Sequence, residues 1–349
     1  MKKRITALLL AAALTFCALL ALSSCKKEDK ITPRQALLSL DFFDTVSYVY
    51  DYSGSSEEEF NATVSSLKER LEELGKLYDI YESYDGITNV KDINDRAGEG
   101  PVKVDKDIID LLIYAKEIYG KTDGQCNIAL GAVLKIWHEH RTAGRENPDT
   151  ATLPDMQELL AAREHTDIND VIINEAEGTV EITDAELSLD VGAVAKGYAC
   201  EIIAQELEAE GKRGYVLDLG GNLRAVGTKK DGSGWKTGIK NPDTTAQNRY
   251  VYYHELKNEA IATSGDYERF YTVGGIRYHH IINLETLMPE SYYRSVSVIS
   301  PNAALSDALS TAIFNMPKGE AEAFVKASPD ALLVVLVLQN GEVKTLKNN

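Results

Sequence analysis

The sequence has 349 residues, with 37 lysines and arginines against 54 aspartates and glutamates, so its formal net charge at pH 7 is −17. A surface this acidic argues against a nucleic-acid-binding protein and against a basic membrane-binding patch, since both require clustered positive charge. The length allows one or two domains with a large hydrophobic core.

The N-terminus is typical of an exported lipoprotein. Basic residues at positions 2–4 precede a long uncharged apolar run, and Leu22-Ser-Ser-Cys25 resembles a bacterial lipobox. We predict a signal peptide over residues 1–24, lipidation of Cys25 and a polar tether over residues 25–36, with acyl chains that anchor the protein to the outer face of a membrane. The alternative is an uncleaved anchor, for which the run is barely long enough. Cleavage removes three positive charges and no negative ones, which takes the net charge from −17 to −20.

The cysteines do not form a disulfide framework. Cys17 leaves with the signal peptide and Cys25 is lipidated, so only Cys126 and Cys200 remain. The two could pair outside the cytoplasm, but Cys200 lies in an apolar helical pattern. Two buried free thiols are therefore the favoured interpretation.

Residues 37–349 are predicted to form one domain, because no linker-like segment interrupts them. The elements predicted in its first part are a β-prone run over Leu37–Tyr52, helices over Phe60–Ile80 and Asp105–Tyr119, an apolar segment over Cys126–Trp137, a loop over residues 139–153 and a short helix over Pro154–Arg163. Ser55 to Glu59 supply the start of the first helix.

The second part is dominated by short strands. The predicted strands and helices are Thr179–Thr183, Leu187–Asp190, Tyr215–Leu219, Leu223–Val226, Lys236–Lys240, Tyr250–Glu255, Ala260–Ser264, Ile276–Ile282, Ser295–Ser300, helix Ala303–Phe314, helix Glu320–Ala327, and a hairpin of Ala331–Leu338 with Val343–Leu346. Helices lie early and late, with many strands between them. This order indicates an α+β domain rather than a regular βαβ alternation.

One stretch, Asp190–Glu201, combines a carboxylate, small residues and a lysine. We expect Asp190 to end a strand, the small residues to form the turn, and Lys196 to lie in the first turn of a helix that Gly211 stops. First-turn amides are unpaired and favour anions such as phosphate. A lysine there is unfavourable unless a negative group lies beside it. An ordinary strand-to-helix turn with an exposed lysine is the alternative.

Two further pairs carry possible chemistry. Asp307 and Thr311 are four residues apart, so on a helix they share a face and could bind one hard cation together with a ligand phosphate. A plain surface pair is the alternative. His279 and His280 lie in a predicted strand and should point in opposite directions, so we expect only His280 to serve a site. His138 and His140 converge on nothing evident and are expected at the surface.

Taken together, five segments in this order resemble the ApbE-type FAD:protein FMN transferases. They are Asp190-x-x-Ala193-x-x-Lys196-Gly197, Leu219-Gly-Gly221, Ala262-Thr-Ser-Gly-Asp-Tyr267, His280-Ile-Ile with Thr286 and Pro289, and Asp307-x-x-x-Thr311. The resemblance implies a single compact α+β domain of mostly antiparallel strands with packed helices, and an FAD cleft between its halves.

The family's activity is implied in the same way. FAD is the substrate, Mg²⁺ the cofactor, and the FMN moiety passes to a Thr or Ser hydroxyl of an extracytoplasmic acceptor protein, such as a subunit of a membrane redox complex, while AMP leaves. By match to the motifs, Mg²⁺ is held by the Ala193 carbonyl, Asp307 and Thr311. The implied FAD contacts are Phe43, Tyr81, Gln125, Cys126, Asn127, Asp190, Lys196 and Ile281. His280 is the candidate that takes the proton of the acceptor hydroxyl, and Asp307 completes the catalytic pair.

Departures from the family pattern leave two other functions open. Asn283 stands where the family often has an aspartate after His-Ile-Ile, and residues 125–127 also differ. Water in place of the acceptor would make the protein an FAD pyrophosphatase that releases FMN and AMP. A non-catalytic FAD-binding lipoprotein is the other alternative. Tyr81 favours transfer over hydrolysis, and Asp307 with Thr311 argues against a pure binder, which needs no metal.

Overall fold

The computed structural model describes residues 32–40, 42–330 and 332–348. Its α-helices are α1 (Glu57–Leu77), α2 (Val90–Asp95), α3 (Lys106–Lys121), α4 (Gly131–Glu146), α5 (Met156–Arg163), α6 (Ala195–Ala209), α7 (Ala303–Phe314) and α8 (Lys318–Ala327). Its strands are β1 (Arg34–Ser39), β2 (Ser47–Asp51), β3 (Val102–Lys103), β4 (Val171–Asn174), β5 (Thr179–Ile182), β6 (Tyr215–Leu219), β7 (Asn222–Val226), β8 (Trp235–Lys240), β9 (Tyr250–Leu256), β10 (Ala260–Gly265), β11 (Phe270–Val273), β12 (Ile276–His279), β13 (Tyr293–Ser300), β14 (Leu333–Leu338) and β15 (Val343–Lys347).

The main sheet has eight strands in the order β1-β2-β6-β7-β10-β13-β14-β15. Every neighbouring pair in it is antiparallel. Smaller sheets are formed by β3-β5-β4, by β8-β9 and by β11-β12. The predicted α+β class with mostly antiparallel strands and packed helices is confirmed.

Helices α6 and α7 pack on each other and on one face of the main sheet. Every residue of α7 except Thr311 is buried, because this helix lies between the sheet and α6. Glu201 connects α6 both to α7 and to Arg224 on β7. The carboxylate of Glu201 on α6 accepts a hydrogen bond from the first amide of α7, Ala303, at 2.7 Å, and from Arg224 Nε at 3.0 Å. The bond to Ala303 fixes α6, which begins with Ala195 and Lys196, against α7, which carries Asp307 and Thr311.

Local signals in the sequence account for the element boundaries. Ser56 and Glu59 form a reciprocal capping box at the start of α1, as the serine-glutamate pattern predicts. Gly220 and Gly221 connect β6 to β7 with φ of 60° and 90°, values that glycine adopts without strain. The Asn340-Gly341 hairpin between β14 and β15 is also confirmed.

Four predictions about elements are wrong. Helix α4 continues through Glu146, so much of the predicted loop at residues 139–153 is helical. Leu187–Asp190 is not a strand, because its backbone bonds to the side-chain amide of Asn94 and to the turn at Ile128–Leu130. The predicted tether ends too late, since β1 begins at Arg34. The predicted strand Ile276–Ile282 ends at His279 and pairs with β11, which periodicity did not indicate.

Cys126 and Cys200 are both free and buried, as predicted. The signal peptide, Cys25 and most of the tether lie outside the described residues, as does Ala331 at the start of a predicted strand. Among the residues that the structure does describe, no helix is both long and apolar enough to cross a membrane.

Candidate active site

A cavity of about 910 Å³ opens between the main sheet with α6 and α7 on one side and the segments around α4 and β11–β12 on the other. This volume lies at the upper end of the range for small-molecule sites, about 300–1,000 Å³. All of the residues predicted to contact FAD or metal line it: Phe43, Tyr81, Gln125, Cys126, Asn127, Asp190, Ala193, Lys196, His280, Ile281, Asp307 and Thr311. The sequence motifs therefore converge on one place.

Asp307 is the most enclosed charged group of the cavity, with 6% of its surface exposed. Its Oδ2 accepts a hydrogen bond from the Gly197 amide at 2.8 Å, and Lys196 Nζ lies 3.4 Å from Oδ1. The negative group that a lysine in the first turn of α6 requires is thus Asp307. The predicted availability of first-turn amides for a phosphate is wrong for Gly197, whose amide is already committed to this carboxylate.

Gly197 allows α6 and α7 to approach at this point. A Cβ at this position would lie 2.3 Å from Asp307 Cβ and 2.7 Å from the carbonyl oxygen of Ala303. Both distances are far below van der Waals contact, so only glycine fits. The glycine after the lysine of the motif is therefore explained by helix packing rather than by a turn.

The hydroxyl of Thr311 lies beside two serines. Ser264 Oγ on β10 is 3.2 Å from Thr311 Oγ1 and 2.8 Å from Ser310 Oγ. Ser310 in turn donates to the backbone carbonyl of Asp307 at 2.9 Å. Of these groups, Ser264, Asp307 and Thr311 line the cavity.

Asp190 lies at the entrance to α6, where it is half-buried. Its Oδ1 accepts a hydrogen bond from the Gly192 amide at 2.8 Å, which holds the turn between Asp190 and the helix. Burial raises the pKa of this carboxyl, an effect that the Gly192 hydrogen bond and nearby cations oppose. Val194, the residue before α6, contributes no side-chain cap.

The two adjacent histidines face different surroundings. His279 is buried, with Nε2 2.9 Å from the carbonyl oxygen of Glu290 and Nδ1 accepting from the Ile281 amide at 3.2 Å. His280 lines the cavity, and its buried Nδ1 has no hydrogen-bond partner among the described residues. Burial, followed by the charges of Arg269 and Arg141, lowers the pKa of His280 to about 3, so its imidazole is neutral at physiological pH.

Residues 125–127 form the back of the cavity. Gln125 Oε1 is buried without a hydrogen-bond partner in the described residues, and burial raises the pKa of the Cys126 thiol to about 12. Asn127 caps the following turn through the Ala129 amide at 2.9 Å and also donates to the carbonyl of Thr166 at 3.0 Å. An unpaired buried acceptor such as Gln125 Oε1 suits a donor of a ligand.

Phe43 and Tyr81 lie nearer the solvent. Phe43 has a positive φ of 59°, which is rare for a non-glycine residue and sets its ring 6.5 Å from that of Tyr78. Tyr81 is 54% exposed. Its ring centroid is 5.4 Å from that of His138. The expectation that His138 is an ordinary surface residue is therefore wrong, since it lines the cavity beside Tyr81.

Sequence reasoning also missed several charged residues of the cavity: Arg141, Asp218, Lys240 and Arg269. A signal existed for Arg141, because Leu134, His138 and Arg141 recur at helical spacing once α4 is allowed to continue past Trp137. Asp218 interrupts an apolar strand just before Gly220-Gly221, and burial raises the pKa of its carboxyl. Nothing local indicated Arg269 or Lys240.

The donors predicted for Mg²⁺ fit that ion in kind. A carbonyl, a carboxylate and a hydroxyl are the hard oxygen ligands that Mg²⁺ prefers, and it commonly takes few of them from protein while substrate phosphates and water complete its shell. In the part of the chain that the structure describes, no three His, Cys, Asp or Glu side chains are grouped to hold a metal. A site here would therefore depend on the ligand for several of its oxygens.

The fold and this site define an α+β enzyme with a deep cleft lined by cations and hard oxygen donors. The chain matches the profile of the ApbE family over residues 35–336 and belongs to that family. It is accordingly a transferase, and the resemblance stated from the sequence is confirmed.

Relatives support this assignment. A protein from Treponema pallidum named FAD:protein FMN transferase is 34% identical over 258 residues, which cover 69% of each chain. A protein of the same name from Klebsiella pneumoniae is 29% identical over 277 residues, covering 77% of this chain and 82% of its own.

Solved structures share the fold. The ApbE protein from Thermotoga maritima superposes with a TM-score of 0.77 at 27% identity, covering 90% of this chain and 97% of its own. The flavin transferase ApbE from Vibrio cholerae gives a TM-score of 0.73 at 24% identity, covering 91% and 98%.

Proposed function

We propose that the protein transfers the FMN moiety of FAD, with Mg²⁺, to a Thr or Ser hydroxyl of an extracytoplasmic acceptor protein and releases AMP. One observation carries the proposal. Asp307 and Thr311 on α7, Lys196 on α6 and His280 after β12 come from three separate segments of the chain and line a single cavity. Phosphoryl transfer requires this combination of positioning, neutralised charge and a proton acceptor.

The cavity residues and the two substrates account for every bond that forms or breaks in this reaction and for the proton that is released. The acceptor oxygen bonds to the phosphorus of the FMN half, the P–O–P bond of FAD breaks, and the bridging oxygen leaves with AMP. We assign His280 to take the acceptor's proton, because it lines the cavity and its neutral imidazole keeps one ring nitrogen unprotonated. Lys196, 3.4 Å from Asp307, is placed to offset pyrophosphate charge once a ligand competes for it.

Ala193, Asp307 and Thr311 are the residues that would hold Mg²⁺. The bound ion would supply Lewis acidity at the pyrophosphate and a template for its oxygens. The Asp307 carboxylate is held in place by the Gly197 amide at 2.8 Å and by Lys196 Nζ at 3.4 Å. Tyr81 and Phe43, at the more exposed part of the cavity, are placed to pack against the ring systems of FAD.

We further propose that the chain is exported, cleaved after residue 24 and anchored through a lipid on Cys25. The acceptor must then lie on the same side of the membrane, as a subunit of a membrane redox complex would. This part rests on the sequence of the N-terminus. It predicts that the wild-type protein, but not Cys25→Ser, incorporates a labelled fatty acid and sediments with membranes.

The deciding experiment combines the mature chain, FAD, Mg²⁺ and an acceptor domain with a target Thr. AMP release and the flavin fluorescence of the acceptor after denaturing electrophoresis are followed together. Covalent fluorescence that vanishes in Asp307→Ala and persists in Ser306→Ala, a buried serine outside the cavity lining, would support transfer.

Other outcomes favour the alternatives. Release of AMP and free FMN with an unlabelled acceptor would show that the protein hydrolyses FAD rather than transferring FMN. Tight FAD binding without any AMP would overturn both enzymatic functions and leave a carrier. A panel of several acceptor domains with Thr→Ala controls separates hydrolysis from a wrong choice of acceptor.

A further inference from the structure

Three hydroxyls beside the predicted metal ligands form a continuous chain. Thr311 Oγ1 lies 3.2 Å from Ser264 Oγ, which lies 2.8 Å from Ser310 Oγ. Ser310 Oγ lies 2.9 Å from the backbone carbonyl oxygen of Asp307. Three contacts therefore connect three hydroxyls and one carbonyl, all within hydrogen-bond distance.

Counting protons fixes the direction of these hydrogen bonds. A carbonyl can only accept, so the contact with Asp307 uses the single proton of Ser310. The contact between Ser264 and Ser310 must then use the proton of Ser264. The proton that remains for the contact between Thr311 and Ser264 is that of Thr311. The chain thus runs from Thr311 to Ser264, then to Ser310, and ends at the carbonyl.

This direction determines what Thr311 presents to the cavity. Its proton points at Ser264, so its two lone pairs are left for other partners. Thr311 is also the one residue of α7 that is not buried, and it lines the cavity together with Asp307. A hydroxyl that can only accept attracts a cation and repels a bare phosphate oxygen.

We propose that Ser264 and Ser310 are positioning residues that hold the Thr311 hydroxyl with its lone pairs toward the cavity, where it ligates a divalent cation. The proposal rests on the metal dependence proposed above and assigns roles to two residues outside the predicted ligand set. Replacing a residue that orients a metal ligand typically lowers metal affinity by about 10–100-fold.

The test measures binding of Mn²⁺, a paramagnetic substitute for Mg²⁺, by the electron paramagnetic resonance signal of the free ion. The full mature chain is titrated with FAD present, no acceptor, and an FAD-only blank. Ser264→Ala and Ser310→Ala should each weaken Mn²⁺ binding by about tenfold or more. Ser264→Thr, which keeps a hydroxyl on the same strand, should retain binding within about threefold of the wild type, since it restores the lost hydrogen bond.

Ser306→Ala is the matched control. Ser306 is also a buried serine of α7 and pairs with Ser300 Oγ at 2.9 Å, but it does not line the cavity. Its replacement should leave Mn²⁺ affinity unchanged. Thermal melts of all variants show whether each is folded before the titrations are compared.

The outcomes separate this proposal from the one on which it rests. Wild-type protein that binds no Mn²⁺ would overturn the metal dependence and this inference with it. Wild-type protein that binds Mn²⁺ with Ser264→Ala and Ser310→Ala binding as tightly would overturn the positioning roles alone. If either alanine variant does not fold, the double variant Ser264→Thr/Thr311→Val is titrated with Mn²⁺ instead. We expect it to lose Mn²⁺ binding relative to Ser264→Thr alone. Unchanged Mn²⁺ binding would contradict the proposal.

Discussion

The inner and outer regions of the cavity are built differently. We define the inner region as Lys196, Gly197, Ser264, Asp307 and Thr311, which are joined by hydrogen bonds between α6, α7 and β10. The outer region consists of Phe43, Tyr81, His138, Arg141 and Arg269. Asp307 is 6% exposed, whereas Tyr81 is 54% exposed.

The described contacts of the outer region are 3.0–3.4 Å long, whereas the shortest contact of the inner region is 2.8 Å. Arg141 Nη2 lies 3.0 Å from His138 Nδ1, and the Tyr81 hydroxyl lies 3.4 Å from the same nitrogen. Arg269 Nη2 lies 3.4 Å from the carbonyl oxygen of Phe43. A fixed inner region serves chemistry, because charges that are already oriented stabilise a transition state without reorganisation. An adaptable outer region serves binding of flat rings and recognition of the acceptor.

The largest effect should come from removing the charge of the inner region. Asp307→Asn keeps the shape and an acceptor for the Gly197 amide but loses the carboxylate that pairs with Lys196. We expect transfer activity to fall on the order of 10³-fold, since charge stabilisation by a metal contributes several kcal/mol. Initial rates of AMP release with saturating FAD check this.

The melting temperature of Asp307→Asn should change little, because the hydrogen bond to Gly197 survives. A variant that kept more than a tenth of the wild-type rate would show that the inner region does not carry the chemistry. A variant that lost both activity and folding would instead be compared with Asp307→Glu, which retains the charge.

The next effect concerns His280, which lines the cavity and lies close enough to Arg269 and Arg141 of the outer region for their charges to lower its pKa. His280→Asn should lower kcat by about 10²-fold or more if the imidazole accepts the acceptor's proton. His279→Gln is the control, because His279 bonds to Glu290 and Ile281 rather than facing the cavity. We expect that control to lose stability while its kcat stays within a few-fold of the wild type.

His280 should also leave a signature in the dependence of stability on pH. Its pKa is lowered from 6.5 to about 3, so between these values the unfolded chain binds a proton that the folded chain does not. Stability therefore falls as the pH drops from 6.5 toward 3. Urea unfolding at pH 7 and pH 4.5 should show a smaller loss for His280→Asn than for the wild type, and an equal loss would contradict the burial of this group.

The sequence predicted the inner region better than the outer one, for a physical reason. Asp307 and Thr311 are brought together by helix periodicity, and Lys196 by its place at the start of α6, so local rules suffice. The partner of Lys196 was expected to be negative, but its identity depends on how α7 packs against α6. That packing is a contact between residues more than a hundred positions apart.

The outer region depends on local conformations that patterns do not encode. Phe43 has a left-handed backbone inside a run that reads as β-prone, and Arg269 precedes a strand that periodicity did not indicate. His138 and Arg141 were missed because polar residues masked the continuation of α4. Leu187–Asp190 was wrongly predicted as a strand, because its apolar and polar residues alternate. Its backbone instead bonds to the side chain of Asn94 and to the turn at Ile128–Leu130.

An intermediate effect tests how tightly the inner region is packed. Gly197→Ala places a Cβ 2.3 Å from Asp307 Cβ, so α6 and α7 must separate. We expect a loss of about 1–3 kcal/mol in the free energy of unfolding, measured with urea, together with reduced activity. Gly319→Ala on α8 is the matched control, because a Cβ there meets nothing within 4 Å. Equal stability of the two variants would contradict the close helix contact.

The smallest effect is expected in the outer region. Tyr81→Ala should raise the KM for FAD by roughly fivefold with little change in kcat, because an exposed aromatic contact contributes only about 0.5–1.5 kcal/mol. Tyr81→Phe retains the ring and removes the hydroxyl that lies 3.4 Å from His138 Nδ1, so its KM should stay near the wild-type value. Steady-state kinetics with a fixed acceptor concentration measure both.

The same pair of variants decides whether the two regions are functionally separate. If Tyr81→Ala lowered kcat as strongly as it raised KM, the exposed ring would act on the transition state and the division between a fixed and an adaptable region would fail. If Tyr81→Phe already reproduced the alanine phenotype, the hydroxyl and its contact with His138 would be the important feature. The ring is expected to dominate, because a solvent-exposed hydroxyl exchanges one hydrogen bond for another with water at little net cost.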